Sequence, residues 1–215
     1  MRDNISGRSM IEMIGVLVIV GLLGVGVLLA YGKAMDRYRI NTMINQVNQI
    51  VTNTRHAFSL HDSRGYKSLD FQVKAMSDKN YKNRQIADSI RLFPESIVRN
   101  DYKNVYDGNI QYFVDGAYKV DDGKAFIVEF YSIPTEACIE LVTQNWQTGL
   151  GLIAMKVKGS ADGYSIQSAA LKGKCKTQYK KGVGLFCAED FPVTLSQAVT
   201  VCDYIKNNNI SWKFF

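Results

Sequence analysis

An apolar run near the N-terminus constrains this chain more than any other feature. It extends from Met10 to Tyr31, and Glu12 is its only charged residue. About twenty consecutive apolar residues suffice to cross a bilayer as an α-helix. A cleavable secretory signal has a shorter apolar core that ends in a small-residue cleavage site, whereas the sequence Gly-Lys-Ala-Met-Asp-Arg follows this run. The run therefore predicts a helix that spans a membrane.

The position of Glu12 carries further information. An acidic side chain within a membrane segment costs a few kcal/mol and usually has a partner or a function. The simpler alternative is that Glu12 reaches the lipid headgroups. Glu12, however, follows Gly7 by five residues and stands at the threshold of the apolar run. Because an ordinary membrane anchor gives no reason for a carboxylate there, we interpret Glu12 as a functional residue.

A helical pattern continues beyond the apolar run, and no proline interrupts the sequence from Ser9 to Ser59. Apolar residues recur there at three- and four-residue spacing, which is typical of an amphipathic helix. We expect one helix of roughly 75 Å at 1.5 Å per residue, with its first half in lipid and its second half packed on a globular domain. The predicted buried stripe consists of Met35, Tyr38, Met43, Ile44, Val47, Ile50, Val51, Thr54, Ala57 and Phe58.

The remaining sequence predicts a globular domain with an antiparallel sheet. Residues 60–105 are mixed and polar, with one short helix predicted just before Pro94. Aromatic and β-branched segments separated by turn signals such as Asp107-Gly108 then predict strands. An antiparallel sheet laid over the amphipathic half of the long helix gives an α+β fold. The predicted strands are Ile110–Val114, Ala125–Tyr131, Leu152–Val157 and Ile210–Phe215.

Two short helices are predicted in the C-terminal part. One opens at Pro134 and runs through Cys138 to Trp146, since proline is well tolerated in the first turn of a helix. The other follows Thr194. The face that this second helix is expected to bury consists of Leu195, Ala198, Val199 and Cys202. Each predicted helix thus carries one cysteine.

The chain has four cysteines and only two histidines, His56 and His61. No two cysteines form a C-x-x-C pair, and both histidines are far from the cysteines in sequence. A zinc site more often shows short ligand pairs, so we interpret the cysteines as two disulfides formed outside the cytoplasm. Four cysteines permit three pairings. They are Cys138, Cys175, Cys187 and Cys202, all in the last third of the chain.

The segment from Gly7 to Glu12, which reads GRSMIE and leads directly into the apolar run, resembles the prepilin peptidase signal of type IV pilins. The resemblance implies cleavage after Gly7, methylation of the new N-terminal amine at Arg8, and Glu12 as the family's glutamate. In a fibre that carboxylate would pair with the N-terminal ammonium of a neighbouring subunit, and such a buried pair specifies register more than it adds stability. The first mature residue is commonly Phe, Met or Leu in the family, whereas Arg8 is charged.

The resemblance also covers the middle of the apolar run. Gly21 matches the mid-anchor glycine of the family, Gly24 and Gly26 lie close behind it, and Leu29 stands where a proline is often found. Each interior glycine costs a helix up to about 1 kcal/mol, so we expect the stretch from Gly21 to Gly26 to be where the helix loosens inside a fibre. Close helix packing at small residues is an open and compatible alternative.

The C-terminal third resembles major pilins of the type IVb kind. The resemblance rests on E-A-C-I-E-L with a later tryptophan, F-C-x-x-D-F-P-V, one more cysteine, and a terminal W-K-F-F. Pilins commonly close this region with a disulfide. We favour a Cys138–Cys202 disulfide, which would join the two short helices, and a Cys175–Cys187 disulfide, which would close a basic hairpin.

A basic run surrounds Cys175 and Tyr179. One interpretation is a weakly adhesive or DNA-contacting patch on the fibre surface. The other, which we favour, is a solvated loop that keeps the subunit soluble, because the net charge of +6 is mild and spread along the chain. The lysines are Lys172, Lys174, Lys176, Lys180 and Lys181.

These features together predict a structural subunit, the major pilin of a bacterial type IV pilus, and no enzyme, cofactor or metal site. The resemblance implies self-association into a helical homopolymer. It also implies three partners: prepilin peptidase, the pilus assembly platform with its ATPase, and the inner membrane, from which the precursor passes into an extracellular fibre. The alternatives are a type II secretion pseudopilin, a minor pilin and, more distantly, a membrane-anchored periplasmic enzyme or receptor.

Four parts are expected along the chain. Residues 1–7 are the leader, residues 8–32 the transmembrane and fibre-core half of the helix, and residues 33–59 its amphipathic half. Residues 60–215 form the globular head, in which residues 138–202 are the cysteine-bridged region.

Overall fold

The computed structural model describes residues 10–59, 72–73, 82–114, 125–146, 150–159, 163–166, 169, 175–203 and 207–215. These form two compact units, one that ends at Arg39 and one from Ile40 to Phe215. The predicted cleavage site at Gly7 and Arg8 lies outside the described residues, as do Lys172 and Lys174 of the basic run.

The long helix predicted from the uninterrupted pattern is present, since α1 runs from Met10 to Ser59. The predicted buried stripe needs correction at its start. Tyr38 is 66% exposed, whereas Ile40 and Gln46 are buried. The buried positions 40, 43, 47, 50 and 54 follow alternating three- and four-residue steps along one face, and position 38 lies off that face.

Four short α-helices and one 3-10 helix, Ala188–Asp190, follow α1 among the described residues. The helix predicted before Pro94 is present, but it ends earlier, at Ser89. The helix predicted to reach Trp146 ends at Thr143, because Gln144 adopts an extended backbone. Trp146 folds back instead, and its Nε1 donates a hydrogen bond to the Leu141 carbonyl at 2.8 Å. The helices are α2 (Lys82–Ser89), α3 (Glu95–Arg99), α4 (Thr135–Thr143) and α5 (Leu195–Val201).

The buried face of α5 differs from the prediction. Leu195 is 65% exposed and Val199 is 38% exposed, whereas Ala198 and Val201 are fully buried. Val201 packs on β6 at Gly184, where an added Cβ would lie 2.6 Å from Val201 Cγ1. The helix therefore turns the side that carries positions 198, 201 and 202 toward the sheet, and its first residue points away.

In the described part of the head, seven strands form one antiparallel sheet in the order β1-β2-β3-β7-β4-β6-β5. The four predicted strands are present as β2, β3, β4 and β7, and the C-terminal strand β7 lies in the interior of the sheet between β3 and β4. The strands are β1 (Gln72–Val73), β2 (Ile110–Val114), β3 (Phe126–Ile133), β4 (Leu152–Lys158), β5 (Gln178–Lys180), β6 (Val183–Cys187) and β7 (Asn208–Phe214).

The main core lies on one face of this sheet and includes the buried stripe of α1 from Ile40 onward. Alternate residues of the central strands point into it. Trp212 is at its centre, with ring centroids 5.6 Å from Phe130 and 5.3 Å from Trp146. Within the second unit, a helix packed on an antiparallel sheet confirms the predicted α+β fold. The sheet residues of this core include Val128, Phe130, Met155, Val157, Phe186, Ile210, Trp212 and Phe214.

A smaller core covers the opposite face of the sheet around Ile127, Ile153 and Leu185. Lys213 of β7 is fully buried beside it, and its Nζ donates a hydrogen bond to the Ala169 carbonyl at 2.5 Å. A buried ammonium needs such polar partners to offset its loss of hydration. Both faces of the sheet are thus covered over its central strands.

Candidate functional site

The apolar run forms a continuous helical surface within the first unit. Its large apolar side chains from Met10 to Tyr31 are 55–82% exposed where the structure describes them. By length and composition α1 is able to cross a membrane, with a mean hydropathy of 2.8 over its most apolar window. An exposed apolar surface of this extent marks a contact with a membrane or a protein, so lipid or an apolar partner must cover it.

Glu12 is the only carboxylate on this surface and lies in the first turn of α1. There it interacts favourably with the positive end of the helix dipole. The backbone stays helical through Gly21, Gly24 and Gly26, and apart from the neighbouring backbone of α1 no described atom lies within 4 Å of the place where a Cβ would stand on any of the three. The helix therefore presents open surface at these glycines, where another helix has room to approach.

Two disulfides brace the C-terminal part of the head. They join Cys138 to Cys202 and Cys175 to Cys187, which are the pairs favoured from the sequence. The first links α4 to the C-terminal end of α5. The second links the residues before β5 to the last residue of β6. The first disulfide thus holds the two short helices together, and the second holds the segment before β5 to the end of β6.

The side chain of Arg55 links α1 to Phe215 by hydrogen bonds, and no sequence pattern indicates this role. Its Nη2 donates hydrogen bonds to the carbonyl of Leu150 and to the backbone oxygen of Phe215, each at 2.6 Å, and its Nε donates to the same oxygen of Phe215 at 3.2 Å. Hydrogen bonds from a charged donor are stronger than neutral ones. At Gly151, whose φ is +56°, an added Cβ would lie 2.6 Å from Nη2. Glycine there leaves the guanidinium room to reach both oxygens.

Of the described lysines of the basic run, Lys180 lies on the edge strand β5, Lys181 follows it in a turn, and Lys176 precedes it without regular structure. Lys176, Lys180 and Lys181 are exposed at or beside β5. Tyr179 stacks on Phe186 with ring centroids 6.0 Å apart and remains 46% exposed. Charged side chains on an edge strand discourage pairing with another chain. The exposed lysines at this edge are thus of the kind that disfavours such pairing.

Among the described residues of the head, Tyr102 and Tyr131 have a raised pKa. Burial raises the pKa of Tyr102 above its usual value of 10.0, and the Asp88 carboxylate, which accepts the phenol's hydrogen bond, raises it further. The Arg84 guanidinium lies 4.3 Å from the centroid of the same ring. Burial also raises the pKa of Tyr131, together with the charge of Glu129, which accepts its hydrogen bond at 2.8 Å. Both phenols therefore stay protonated and act as hydrogen-bond donors.

A groove of about 560 Å³ opens where α1, α2 and α3 meet. Phe93 and Val98 supply apolar surface, and Asp88, Arg91 and Glu95 place charges around it. Among the residues that the structure describes, no group of three or more His, Cys, Asp or Glu side chains is arranged to hold a metal ion. The groove thus presents an apolar floor with exposed charges of both signs at its rim.

The chain matches a protein-family model, and no curated protein matches it. The model of the PilS N-terminal family matches residues 37–214. This match begins beyond the apolar run, so it does not depend on the leader-like segment or on the glutamate that resembles a pilin signal. It covers most of the chain, including all seven strands and both disulfides. The chain therefore belongs to the PilS N-terminal family and is a type IV pilus-related pilin subunit.

Proposed function

We propose that this chain is the major structural subunit of a bacterial type IV pilus and assembles into a helical homopolymer through α1. The observation that carries the proposal is the exposed apolar surface of α1 with the single carboxylate of Glu12 in its first turn. Family membership supports a pilin head behind that helix. A surface of this kind has two suitable environments, a bilayer before assembly and the other helices of a fibre after it.

Processing prepares the helix for assembly. Prepilin peptidase removes the leader, residues 1–7, by cutting after Gly7, and the amine of Arg8 becomes the methylated N-terminus. Residues 8–32 hold the precursor in the inner membrane, while residues 33–59 and the head, residues 60–215, lie outside the cytoplasm, where the cysteines oxidise. The assembly platform and its ATPase then extract the helix into a growing extracellular fibre.

The carboxylate of Glu12 sets the register of each incoming subunit. In the apolar core of a fibre an unpaired carboxylate carries a large desolvation cost. Pairing with the ammonium of Arg8 on a neighbouring subunit offsets that cost only when the two helices are correctly offset along the fibre axis. The pair thus favours one register over all others. Apolar burial supplies the driving force, so assembly needs no catalytic residue in this chain.

The open surface at Gly21, Gly24 and Gly26 would also contact neighbouring helices in the apolar core of the fibre. Glycines permit close approach of neighbouring helices, and they lower the cost of unwinding a helix locally. We assign this stretch as the place where α1 adapts to its neighbours. The abundance of the chain in purified fibres distinguishes a major subunit from a minor pilin or a type II secretion pseudopilin.

A substitution at Glu12 tests the proposal. Glu12→Gln keeps the size of the side chain and removes its charge, and Glu140→Gln removes the same charge from an exposed position of α4. In cells with the assembly machinery, we expect both variants to resist carbonate extraction from membranes. Only Glu140→Gln should give fibres by electron microscopy of sheared surface material. Normal fibres from Glu12→Gln would refute the proposed role.

A further inference from the structure

We propose that the two turns of α1 that follow the apolar run bind the headgroups of anionic phospholipids. We call this segment the collar and define it by Tyr31, Lys33, Arg37 and Tyr38. The proposal rests on the membrane stage of the proposed function. It adds a ligand class and a binding site to a segment that otherwise only connects the anchor to the head.

Helix geometry places the collar at the depth of the headgroups. Glu12 and Lys33 are separated by about 30 Å along a helix with a rise of 1.5 Å per residue, which equals the hydrocarbon thickness of a typical bilayer. Lys33 and Arg37 are then about 6 Å apart along the axis, and the polar layer of each leaflet is roughly 5–7 Å deep. When the uncharged stretch fills the hydrocarbon, both cations lie among the phosphates.

The two cations have no partner within the described part of the chain. Neither Lys33 nor Arg37 forms an ion pair or hydrogen bond there, and both side chains are exposed. They stand four residues apart and so share one face of α1, where like charges repel each other. The exposed carboxylate of Asp36, three residues from Lys33 and next to Arg37, offsets one of the two charges. The segment from Lys33 to Arg37 keeps a net charge of +1, which an anion would neutralise. A phosphodiester headgroup supplies that anion at the required depth.

The tyrosines support the same placement. Tyr31 is 63% exposed and Tyr38 is 66% exposed, although both are large aromatic side chains. They are seven residues apart and share a second face of the helix. Tyrosine concentrates at membrane–water interfaces because its ring is apolar and its hydroxyl is polar. Two exposed tyrosines on either side of two unpaired cations therefore indicate a lipid interface more than a protein surface in water.

The experiment measures lipid selectivity of the full-length chain. The chain is reconstituted in phosphatidylcholine bilayers that contain spin-labelled phosphatidylglycerol or spin-labelled phosphatidylcholine, and electron spin resonance gives the fraction of each lipid held at the protein. A basic residue near an anionic surface contributes about fivefold in affinity. We expect the wild type to prefer phosphatidylglycerol, Lys33→Gln to lower that preference about fivefold, and Lys33→Gln/Arg37→Gln to bring it close to one.

The matched control is Lys180→Gln/Lys181→Gln, which removes the same charge from exposed positions of the head and should leave the preference unchanged. An equal loss in the control, or no loss in the collar variant, would overturn the proposal. A wild-type chain without preference for phosphatidylglycerol would also overturn the proposal. If Lys33→Gln/Arg37→Gln then failed to form fibres, the two cations would instead contact acidic groups of a neighbouring subunit. If no lipid is held at the protein at all, the membrane anchor of the proposed function fails as well.

Discussion

Removal of each disulfide tests how the head is stabilised. The Cys138–Cys202 disulfide spans a sequence separation of 64 residues, and the Cys175–Cys187 disulfide spans 12. Closing a loop removes conformational entropy from the unfolded chain, and this loss grows with the logarithm of loop length, which gives about 4.3 kcal/mol for the long loop and about 2.8 kcal/mol for the short one. The long-range disulfide should therefore contribute more to the free energy of unfolding.

The burial of the cysteines also predicts a larger contribution from the Cys138–Cys202 disulfide to the free energy of unfolding. Cys138 and Cys202 are 0% and 2% exposed within the main core. In the other disulfide Cys187 is 4% exposed, but Cys175 is only partly buried beside the smaller core. Replacement of the first pair by alanine removes two buried sulfur atoms in addition to the link, and lost core volume is destabilising. The difference between Cys138→Ala/Cys202→Ala and Cys175→Ala/Cys187→Ala should thus exceed the entropic difference of about 1.5 kcal/mol.

The two tryptophans provide the signal. The chain has two, Trp146 and Trp212, and both are buried in the head, so their fluorescence reports unfolding of the head alone. Urea unfolding of the full-length chain in detergent gives the free energy of unfolding for the wild type and both double variants. At a change of about 2–4 °C per kcal/mol, the thermal midpoints should fall in the same order. Equal losses, or a larger loss for the short-range disulfide, would refute this reasoning.

Three further predictions use the same unfolding measurement. Arg55→Ala should lower the free energy of unfolding by about 2–3 kcal/mol, because the charged hydrogen bonds to the backbone oxygens of Leu150 and Phe215 disappear. Arg55→Lys should have an intermediate effect. A loss below about 0.5 kcal/mol for Arg55→Ala would contradict the role of Arg55. Trp212→Phe should lower the free energy of unfolding by about 1 kcal/mol less than Trp146→Phe does. The reason is that Nε1 of Trp212 meets no acceptor in the described structure, whereas Nε1 of Trp146 is hydrogen-bonded. A larger loss for Trp212→Phe would refute this explanation. The pKa of Tyr102 is raised in the folded state, so its stabilising effect is complete below the unfolded value near 10 and is lost as the pH rises above it. The difference in stability between wild type and Tyr102→Phe should accordingly shrink between about pH 9 and pH 11, and a constant difference would refute the assignment.

The long helix and the central strands were predictable because local signals agree with the final packing. No proline breaks α1, and its periodicity matches one buried face. β2 was predicted with its observed bounds from Ile110 to Val114, since turn residues precede it. The sequence predicts a hairpin closed by Cys175 and Cys187 but not β6 as a strand with bounds, because all five residues of β6 from Val183 to Cys187 are buried. A strand covered on both faces lacks the alternation that identifies a strand in sequence.

Contacts between distant parts of the chain account for the other differences. The buried face of α5 is set by how Val201 meets Gly184 of β6, and neither residue alone signals that contact. Arg55 reaches the carbonyl of Leu150, 95 residues away, and no local pattern marks its target. The apolar surface of α1, in contrast, was predictable from the sequence, because it depends only on a continuous run of apolar residues.

The mature N-terminus tests the central claim most directly. The chain is purified from surface fibres, or from membranes if fibres are absent, and its N-terminal peptide is identified by mass spectrometry. The account predicts a peptide that begins at Arg8 and carries a methyl group on its α-amine, so that Glu12 is its fifth residue. An intact Met1, or a first residue beyond the apolar run, would contradict the assignment of α1 as a pilin assembly helix.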